Sequence, residues 1–376
     1  MTPSQRLKAI ATVLAACAVA AAAATGCSSS SPSSNASTSN SPTSGSSVAN
    51  ASSTAPVTIS VNCEPPTSTP QPRANWLADV AAFEKLYPSI TIKSDDANPC
   101  DNPTTFNAEL ASGKMDNVFY TYFTDAGNVI SSGQSADIQP YASQINNYSS
   151  IQSSLLDVYR KGGAASGDLY GIPTGNYSLG LVYNKTLFKE AGIALPWEPK
   201  SWADVLAAAE KIKAKLPGVT PINVYSGKGA GEGATMQGLE MLLYGTGNQL
   251  YNASSKQWTP STPGMLASLN FIKQIYSTGL APDVEDALNP NFGTTVATEL
   301  LPEGKLAIDL DGSWMPGTWT STGSKPWPAW ETTMAEAPMP TENGQAPGST
   351  SMSGGWTLAV GSHRSEEHTS ELQSPC

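Results

Sequence analysis

The chain has 376 residues, of which only 14% are charged, and its formal net charge at pH 7 is −11. This length is enough for two domains with substantial cores. The acidic balance, without a cluster of basic residues, excludes the electrostatic footprint that nucleic-acid binding requires. Nine tryptophans and thirteen tyrosines favour a neutral, polar ligand over an ion.

Residues 1–27 have the pattern of an export signal. Arg6 and Lys8 precede an apolar, alanine-rich run that is too short for a membrane-spanning helix. The run ends in small residues immediately before Cys27, and this ending is similar to a bacterial lipobox. We therefore predict that Cys27 is lipid-modified and starts the mature protein. Cys17 is the alternative, although more apolar residues follow it.

Residues 28–55 are small and mostly polar, and none of them is charged. Such a segment has almost no large apolar side chain to bury, so we predict a disordered tether. The tether would hold a folded domain away from a membrane surface. No later segment approaches the length needed to cross a membrane. The sequence thus predicts an exported protein, anchored by lipid to the outer face of the cell membrane.

The folded part begins at about residue 56 with the order strand, helix, strand. Residues 57–61 and 90–93 have strand character, and between them Trp76, Leu77, Val80, Phe83 and Leu86 repeat at helical spacing. This order predicts a right-handed parallel crossover.

Cys63 and Cys100 follow the ends of these two strands. The other cysteines fall in the signal or in the C-terminal tail. An exported protein is expected to pair its two remaining cysteines, so we predict a disulfide between Cys63 and Cys100.

A third strand is predicted at residues 117–120, and Tyr122 and Phe123 follow it. Ligands bind beyond the carboxyl ends of parallel strands, so both aromatic residues are candidates for a binding cleft. Packing against a neighbouring helix is an equally good interpretation.

The segment from Gly167 to Lys185 has the character of a connection between two lobes. Pro173 ends one strand, and a new apolar run begins at Leu179. Between them, Asn176 and Tyr177 add an amide and a phenol to a flexible stretch, which suits a hinge beside a ligand. An ordinary surface turn is the alternative.

In the following region, Ser201 and Asp204 predict a capping box at the start of a helix, with Trp202 on its buried face. The glycine-rich residues 229–237 lack the G-K-[ST] signature, so we predict no phosphate-binding loop there.

Several motifs occur in a fixed order along residues 57–360, and together they are specific. They are F-E-x-x-x-P-x-I at 83–90, A-S-G at 111–113, G-x-x-Y-G-I-P at 167–173, Y-N-K-x-x-F-x-x-A-G-I at 183–193, P-x-S-W-x-D at 199–204, G-x-W at 312–314 and G-G-W-x-L-A at 354–359. The chain therefore resembles the family 1 extracellular solute-binding proteins of ABC importers, the maltose-binding-protein-like group.

The resemblance implies an α/β fold of the periplasmic-binding-protein type, with two lobes joined by hinge crossovers. Each lobe would be a mostly parallel sheet flanked by helices. We expect lobe 1 at residues 56–173, lobe 2 at 174–352 and a return strand to lobe 1 at 353–363.

The resemblance also implies a set of ligand-binding residues. In the family, the tryptophan of G-x-W commonly stacks on a sugar ring, and here Trp314 matches it. We expect Asp311 to hold hydroxyl groups beside it. Glu232, Thr235 and Gln237 would lie on a loop facing the cleft, and Gly355 and Trp356 near the second hinge strand. The alternative for Trp314 is an ordinary core residue.

Residues 364–374 have the sequence that a common short-read sequencing adapter encodes. We interpret residues 364–376 as a non-native tail, and we expect the rest of the domain to be missing. A genuine polar tail is the alternative.

With the tail set aside, His363 is the remaining histidine. We therefore expect no serine-histidine or cysteine-histidine catalytic site and no histidine-metal site. We predict a monomeric, non-enzymatic binding protein without a cofactor or metal, which takes a sugar or oligosaccharide between its lobes and delivers it to an ABC permease. A carbohydrate-active hydrolase is the first alternative, because carboxylates are plentiful. A sensory or adhesive lipoprotein of the same fold is the second.

Overall fold

The structure is a computed structural model, and it describes residues 56–94, 103–145, 147–163 and 167–362. Several predictions fall outside these residues: the signal at 1–27 with Cys27, the tether at 28–55, Cys100, and the tail at 364–376. Within the described residues, no helix combines the length and apolar character needed to cross a membrane.

The chain divides into two compact units. Unit 1 contains the residues up to Gly175 and those from Trp356 onward, and unit 2 is Asn176–Gly355. The chain therefore passes between the units twice, once after Gly175 and once after Gly355. Asn176 and Tyr177 begin unit 2, and Trp356 begins the return to unit 1.

The strands carry most of the framework in both units. In chain order they are β1 Val57–Val61, β2 Ile90–Ser94, β3 Val118–Tyr122, β4 Ile172–Pro173, β5 Tyr177–Asn184, β6 Thr220–Asn223, β7 Tyr251–Asn252, β8 Gln257–Trp258, β9 Leu306–Gly312, β10 Met334–Ala337, β11 Met339–Pro340, β12 Ser349–Thr350, β13 Ser353–Gly354 and β14 Trp356–Val360.

The helices fill the connections between strands. They are α1 Pro70–Leu86, α2 Pro103–Ser112, α3 Ala126–Ser132, α4 Ser153–Asp157, α5 Lys185–Glu190, α6 Trp202–Lys215, α7 Met241–Gly245, α8 Pro263–Ser277, α9 Val284–Ala287, α10 Phe292–Thr295, α11 Met315–Trp319 and α12 Trp330–Thr333. Two segments are π-helical: Ala234–Glu240 leads directly into α7, and Val296–Leu300 directly follows α10.

The sheet of unit 1 has the order β2-β1-β3-β14-β4. β1 pairs in parallel with β2 and with β3, as the strand-helix-strand pattern predicts. β14 returns from unit 2 and pairs antiparallel with β3 and β4. The returning strand thus lies beside the end of the strand that leads out of unit 1.

The sheet of unit 2 has the order β10-β5-β9-β6. β6 and β9 are parallel, but β5 is antiparallel to both β9 and β10. The α/β class is confirmed, while the pairing in this unit is more antiparallel than the sequence predicts. The reason is that β5, which enters from unit 1, runs opposite to β6 and β9.

The cores lie on the faces of these sheets. Every residue of β9 is buried, so core side chains cover both of its faces. Trp202 packs edge-on against Phe271, with ring centroids 5.2 Å apart, and it is a core residue as predicted. In α1, however, Phe83 is buried while Leu77 and Leu86 are exposed. The predicted apolar stripe is therefore wrong for these two leucines, although the helix is present.

Side-chain caps fix where two helices of unit 2 start. Ser201 and Asp204 form the predicted capping box of α6. Asn184 caps α5 by accepting hydrogen bonds from the backbone N–H groups of Thr186 and Leu187. The Asn184 cap lies at the end of β5, so it defines where the chain leaves the sheet.

Candidate functional site

The candidate site in unit 2 begins at the end of β9. This strand runs through Asp309 and Asp311 to Gly312, and Trp314 then stands at the start of α11. Trp314 is half-buried and packs at the edge of two core clusters of unit 2. It is therefore neither a sealed core residue nor a freely exposed one.

Gly312 is required by the position of the Trp314 ring. A Cβ atom on Gly312 would lie 2.0 Å from the indole carbon Cζ3, and no real contact is that short. The indole therefore rests directly on the backbone of Gly312. The G-x-W motif thus has a structural reason, because a glycine lets the ring fold back over the strand end.

Tyr177 makes the second contact that orients Trp314. Their rings meet edge to face, with centroids 5.8 Å apart and an interplanar angle of 86°. The neighbouring backbones are joined too, because Ser313 N–H donates to the Ser178 carbonyl at 2.9 Å. The structure therefore brings the predicted residues Tyr177 and Trp314 together.

Asn176 lies beside this pair and is exposed. The Ser353 hydroxyl donates a hydrogen bond to Asn176 Oδ1 at 2.5 Å, and β13 pairs with the start of β5 through Gly354 and Tyr177. The two ends of unit 2 are thus joined to each other. Gly355 is half-buried and ends the unit.

Asp311 is buried, and its oxygens are used within the protein. Oδ1 accepts from Gly312 N–H at 2.7 Å, and Oδ2 accepts from the Tyr225 hydroxyl at 3.1 Å. This placement differs from the expected direct contact with ligand hydroxyls. Asp311 instead holds, from beneath, the backbone on which Trp314 rests.

Asp309 lies two residues earlier on the same face of β9 and is fully buried. Its Oδ1 accepts from Asn223 Nδ2 at 2.9 Å. Burial raises the pKa of Asp309 well above its ordinary value, and the charge of Asp311 adds to this rise. Burial also raises the pKa of Asp311 to about 6, although the hydrogen bonds from Gly312 and Tyr225 oppose the shift.

The glycine-rich segment of unit 2 is largely helical, so the loop that the resemblance implies is not what the structure shows here. Glu232 and Gln237 are both half-buried, and Gln237 lies in the π-helical segment Ala234–Glu240. The Thr235 hydroxyl donates to the Glu232 carbonyl at 3.0 Å, a bond that stays inside the segment. The structure therefore places these predicted residues in one short helical segment.

Unit 1 has an aromatic pair of its own. Trp356 and Tyr122 are opposite each other in the β14–β3 ladder. Their rings are 3.9 Å apart between centroids, with an interplanar angle of 36°, and Tyr120 meets Trp356 edge-on at 6.4 Å. All three side chains are half-buried. Two predicted residues, Tyr122 and Trp356, are thus brought together by strand register.

Phe123 has a different environment from its neighbour Tyr122. It packs against a core cluster of unit 1 and meets Tyr159 edge-on, with centroids 6.3 Å apart. The Tyr159 hydroxyl donates to the Tyr122 carbonyl at 2.5 Å. Phe123 therefore takes part in packing, which was the alternative open at this position.

Polar side chains occupy the carboxyl ends of β1 and β2 in unit 1. Asn62 Oδ1 accepts from Tyr120 N–H at 2.8 Å and so continues the ladder beyond β1. Glu64 is buried, forms an ion pair with Arg73 and accepts from the Ser94 hydroxyl. Cys63, between them, is disulfide-bonded. Its pairing with Cys100 stays a prediction because Cys100 lies outside the described residues.

Sequence reasoning missed Asp309, Tyr225 and Glu64. A signal for Asp309 was present, because two aspartates alternate with large apolar residues in a strand that is buried on both faces. Nothing local marked Tyr225, which reaches Asp311 from the segment after β6. Among the described residues, no group of three or more His, Cys, Asp and Glu is arranged to hold a metal ion.

Part of the chain is similar to a protein of known ligand. A curated relative is similar over 119 residues at 30% identity, the sn-glycerol-3-phosphate-binding periplasmic protein UgpB of Agrobacterium fabrum. This match covers 30% of the chain and only 26% of the relative's length.

Solved structures are similar over much more of the chain. A solute-binding protein of an ABC transporter from Thermotoga lettingae, bound with α-D-tagatose, has a TM-score of 0.68 at 18% identity and covers 84% of this chain and 75% of its own. The GacH receptor of Streptomyces glaucescens, solved unliganded and with acarbose, has a TM-score of 0.64 at 20% identity and covers 84% and 74%. At these identities the likenesses establish the fold, and the predicted periplasmic-binding-protein-like class is confirmed.

The sequence profile of one family matches residues 67–367, which is most of the chain and includes both aromatic pairs. The description of that family is "bacterial extracellular solute-binding protein". The resemblance found in the sequence motifs is therefore confirmed. The chain belongs to the bacterial extracellular solute-binding protein family.

Proposed function

We propose that the chain is the extracellular solute-binding component of an ABC importer and that it binds a neutral sugar or oligosaccharide. The observation that carries this proposal is the half-buried Trp314, whose ring rests on Gly312 and is held edge-on by Tyr177. These two contacts hold the ring in one orientation. Such preorganisation lowers the entropic cost of binding.

A fixed indole suits a sugar for a physical reason. One face of a pyranose ring consists of C–H groups, which are apolar and match the flat indole surface. Removing these surfaces from water stabilises the complex, while hydroxyls at the ring edge hydrogen-bond to nearby polar groups. In unit 1, the Trp356–Tyr122 pair offers a second aromatic surface of the same kind.

The charges near Trp314 argue against an anionic ligand at this position. Asp311 lies beneath it, and the Glu336 carboxylate extends over Gly180, which is opposite Asp311 in the β5–β9 ladder. A phosphate group brought to this surface would meet like charges. We therefore propose a neutral ligand here, although the relative from Agrobacterium fabrum is named for sn-glycerol 3-phosphate.

The solved relatives support a sugar or polyol. The Thermotoga lettingae protein was solved with α-D-tagatose, the GacH receptor with acarbose and a solute-binding protein of Agrobacterium vitis with D-mannitol. We propose that this chain, as a monomer, releases its ligand to a permease without chemical turnover. Export with a lipid on Cys27, and the Cys63–Cys100 disulfide, belong to the same proposal.

A thermal-shift screen of the purified chain tests this function. The probes are maltose, α-D-tagatose and D-mannitol as neutral ligands, with sn-glycerol 3-phosphate as the anionic control. A ligand at 100 times its Kd stabilises a protein by about 2.7 kcal/mol, so a true ligand gives a clear rise in Tm. We expect at least one neutral probe to raise Tm. A response to sn-glycerol 3-phosphate alone would contradict the proposal.

Incubating the same chain with maltose and with longer maltose oligosaccharides tests the absence of turnover. We expect the sugars to be recovered intact. Release of shorter sugars at a rate that follows the protein concentration would favour a hydrolase instead.

A further inference from the structure

The buried carboxyl pair of β9 has a feature that ligand stacking does not explain. Asp309 and Asp311 are 0% and 4% exposed. Asp311 accepts hydrogen bonds at both oxygens, whereas Asp309 Oδ2 has no donor partner among the described residues. An acceptor oxygen that is buried without a donor is costly, so its state needs an explanation.

The described residues supply no positive charge to compensate the two aspartates. Among the described residues, no lysine, arginine or histidine forms an ion pair with either aspartate. Two negative charges that are buried side by side without a cation would pay a large desolvation penalty and would repel each other. One proton held between the two groups removes both costs, because one aspartate becomes neutral and gains a donor.

We infer that Asp309 and Asp311 share one proton, carried on Asp309 Oδ2 and donated to Asp311, and that this pair is a positioning device for Trp314. The shared proton turns Asp309 Oδ2 from an acceptor without a donor into a hydrogen-bond donor. It also leaves Asp311 as the single charged acceptor beneath the strand end.

The path from the pair to Trp314 is short. Charged Asp311 accepts from Gly312 N–H, and the indole rests on Gly312. Tyr225 supports the same carboxylate from the segment after β6. The Trp314 side chain also lies near enough to favour the charged form of Asp311. Removing the proton would place a second charge under this arrangement and disturb the backbone that holds the ring.

The titratable groups around the pair are few. From β10, the Glu336 carboxylate extends over Gly180, and from the segment after β6, Tyr225 points at Asp311. On β5, the residues opposite the pair are Val182 and Gly180, which do not titrate, and on β6 it is Asn223. Glu336 is exposed, so a protonation change in the buried pair can be separated from one at the surface.

The shared proton does not depend on the proposed function; only the benefit of positioning Trp314 rests on sugar binding. The test therefore uses no ligand. Carboxyl groups of the full chain are labelled with ¹³C at aspartate and followed by NMR from pH 5 to pH 9. We expect one buried aspartate to remain protonated at pH 7 and its signal to disappear in Asp309→Asn. If every aspartate carboxyl is ionised at pH 7, the inference is overturned.

Fluorotryptophan labelling reports on the ring itself. The ¹⁹F signal of Trp314, assigned with Trp314→Phe, is compared in the wild type, Asp309→Asn and Asp309→Ala. The amide in Asp309→Asn can still accept from Asn223 and donate to Asp311, so we expect the wild-type signal. In Asp309→Ala both bonds are lost, and we expect the signal to shift or broaden.

The pH dependence separates positioning from general stability. Above pH 7, we expect the Trp314 signal of the wild type to move as the pair loses its remaining proton and the signal of Asp309→Asn to stay constant. Trp258, which is exposed on the β7–β8 hairpin, is the internal control and should not move. Equal pH dependence in the wild type and in Asp309→Asn would contradict the positioning role. If these signals behave as expected but no sugar binds, the proposed function fails while the shared proton stands.

Discussion

The two aromatic pairs use the same side-chain chemistry but are held in different ways. In unit 1, Trp356 and Tyr122 are cross-strand neighbours in a regular ladder, and their rings are 3.9 Å apart between centroids. In unit 2, Trp314 follows the end of β9, rests on Gly312 and meets Tyr177 edge-on at 5.8 Å. The first pair is fixed by strand register and the second by a turn with a buried polar support.

This difference predicts how each pair responds to change. Cross-strand neighbours stay close as long as the ladder forms, because register places their side chains on one face. The position of Trp314 depends on one glycine and on the carboxylate beneath it, so small changes nearby should move the ring. We therefore expect binding in unit 2 to be sensitive to residues that a ligand does not touch.

Removing the indole of unit 2 should have the largest effect. We expect Trp314→Ala to weaken binding of the sugar found by screening about 100-fold, equivalent to about 2.7 kcal/mol, as for a central aromatic contact. Calorimetric titration measures the loss, and thermal unfolding measures the cost in stability. Trp258→Ala, in the exposed hairpin, is the matched control and should bind normally. A loss of folding as large as the loss of binding would make Trp314 a core residue.

Moving the indole without removing it should have nearly the same effect. A Cβ on Gly312 would lie 2.0 Å from the ring, so Gly312→Ala must displace Trp314. We expect binding to fall about 30-fold, or about 2 kcal/mol, with Trp314 still present. Gly317→Ala is the control, because a Cβ there has nothing within 4 Å. Normal binding by Gly312→Ala would show that the position of the ring is unimportant.

The buried carboxyl pair should make the stability of the chain depend on pH. The pKa of Asp311 is raised to about 6 in the folded chain, against about 4 in an unfolded chain. The folded state therefore binds the proton more tightly, and its stability falls as pH rises from about 4 through 6. We expect a decrease on the order of 2 kcal/mol in the free energy of unfolding.

Urea unfolding at several pH values measures this decrease. In Asp309→Asn the second buried carboxyl group, whose pKa is also raised in the folded chain, is gone, so the decrease should be smaller. Glu336→Gln, which removes an exposed carboxylate, should keep most of it. If the free energy of unfolding decreases equally with pH in the wild type and in Asp309→Asn, the carboxyl pair is not the cause of the pH dependence.

The aromatic pair of unit 1 should tolerate more than that of unit 2. We expect Trp356→Ala to weaken sugar binding about tenfold, while Trp356→Phe, which keeps an aromatic ring on Tyr122, should bind nearly normally. Parallel titrations of the two variants measure the difference. A 100-fold loss in Trp356→Phe would mean that the two pairs do not differ as proposed.

A change outside both pairs should affect stability alone. Ser201→Ala removes the side-chain acceptor of the α6 capping box, and we expect a loss of about 1 kcal/mol in the free energy of unfolding. Sugar affinity should be unchanged. Weaker binding in this variant would indicate that the sites are sensitive to stability in general.

Much of the fold follows from local patterns. The strand at Val57–Val61, the capped helix from Trp202 and the strand that ends in G-x-W were predictable because alternation, capping residues and turn glycines act over a few positions. Strand direction in unit 2 was not predictable in the same way. It depends on where β5 enters from unit 1, and no local pattern encodes that.

The site shows the same division. The sequence identified Trp314 and Tyr177 as separate candidates, but their contact depends on the pairing of β5 with β9. The resemblance also led to the expectation that Asp311 holds ligand hydroxyls beside Trp314. Its contact with Tyr225 comes from a segment 86 residues away in the chain, beyond the reach of local reasoning.

Binding of a neutral sugar on the ring of Trp314 can be measured by calorimetric titration of the wild-type chain and Trp314→Ala with the neutral probe that raises Tm most. We predict saturable binding with one site in the wild type and binding about 100-fold weaker in a folded Trp314→Ala. Equal affinity of the two proteins for that sugar would contradict the account.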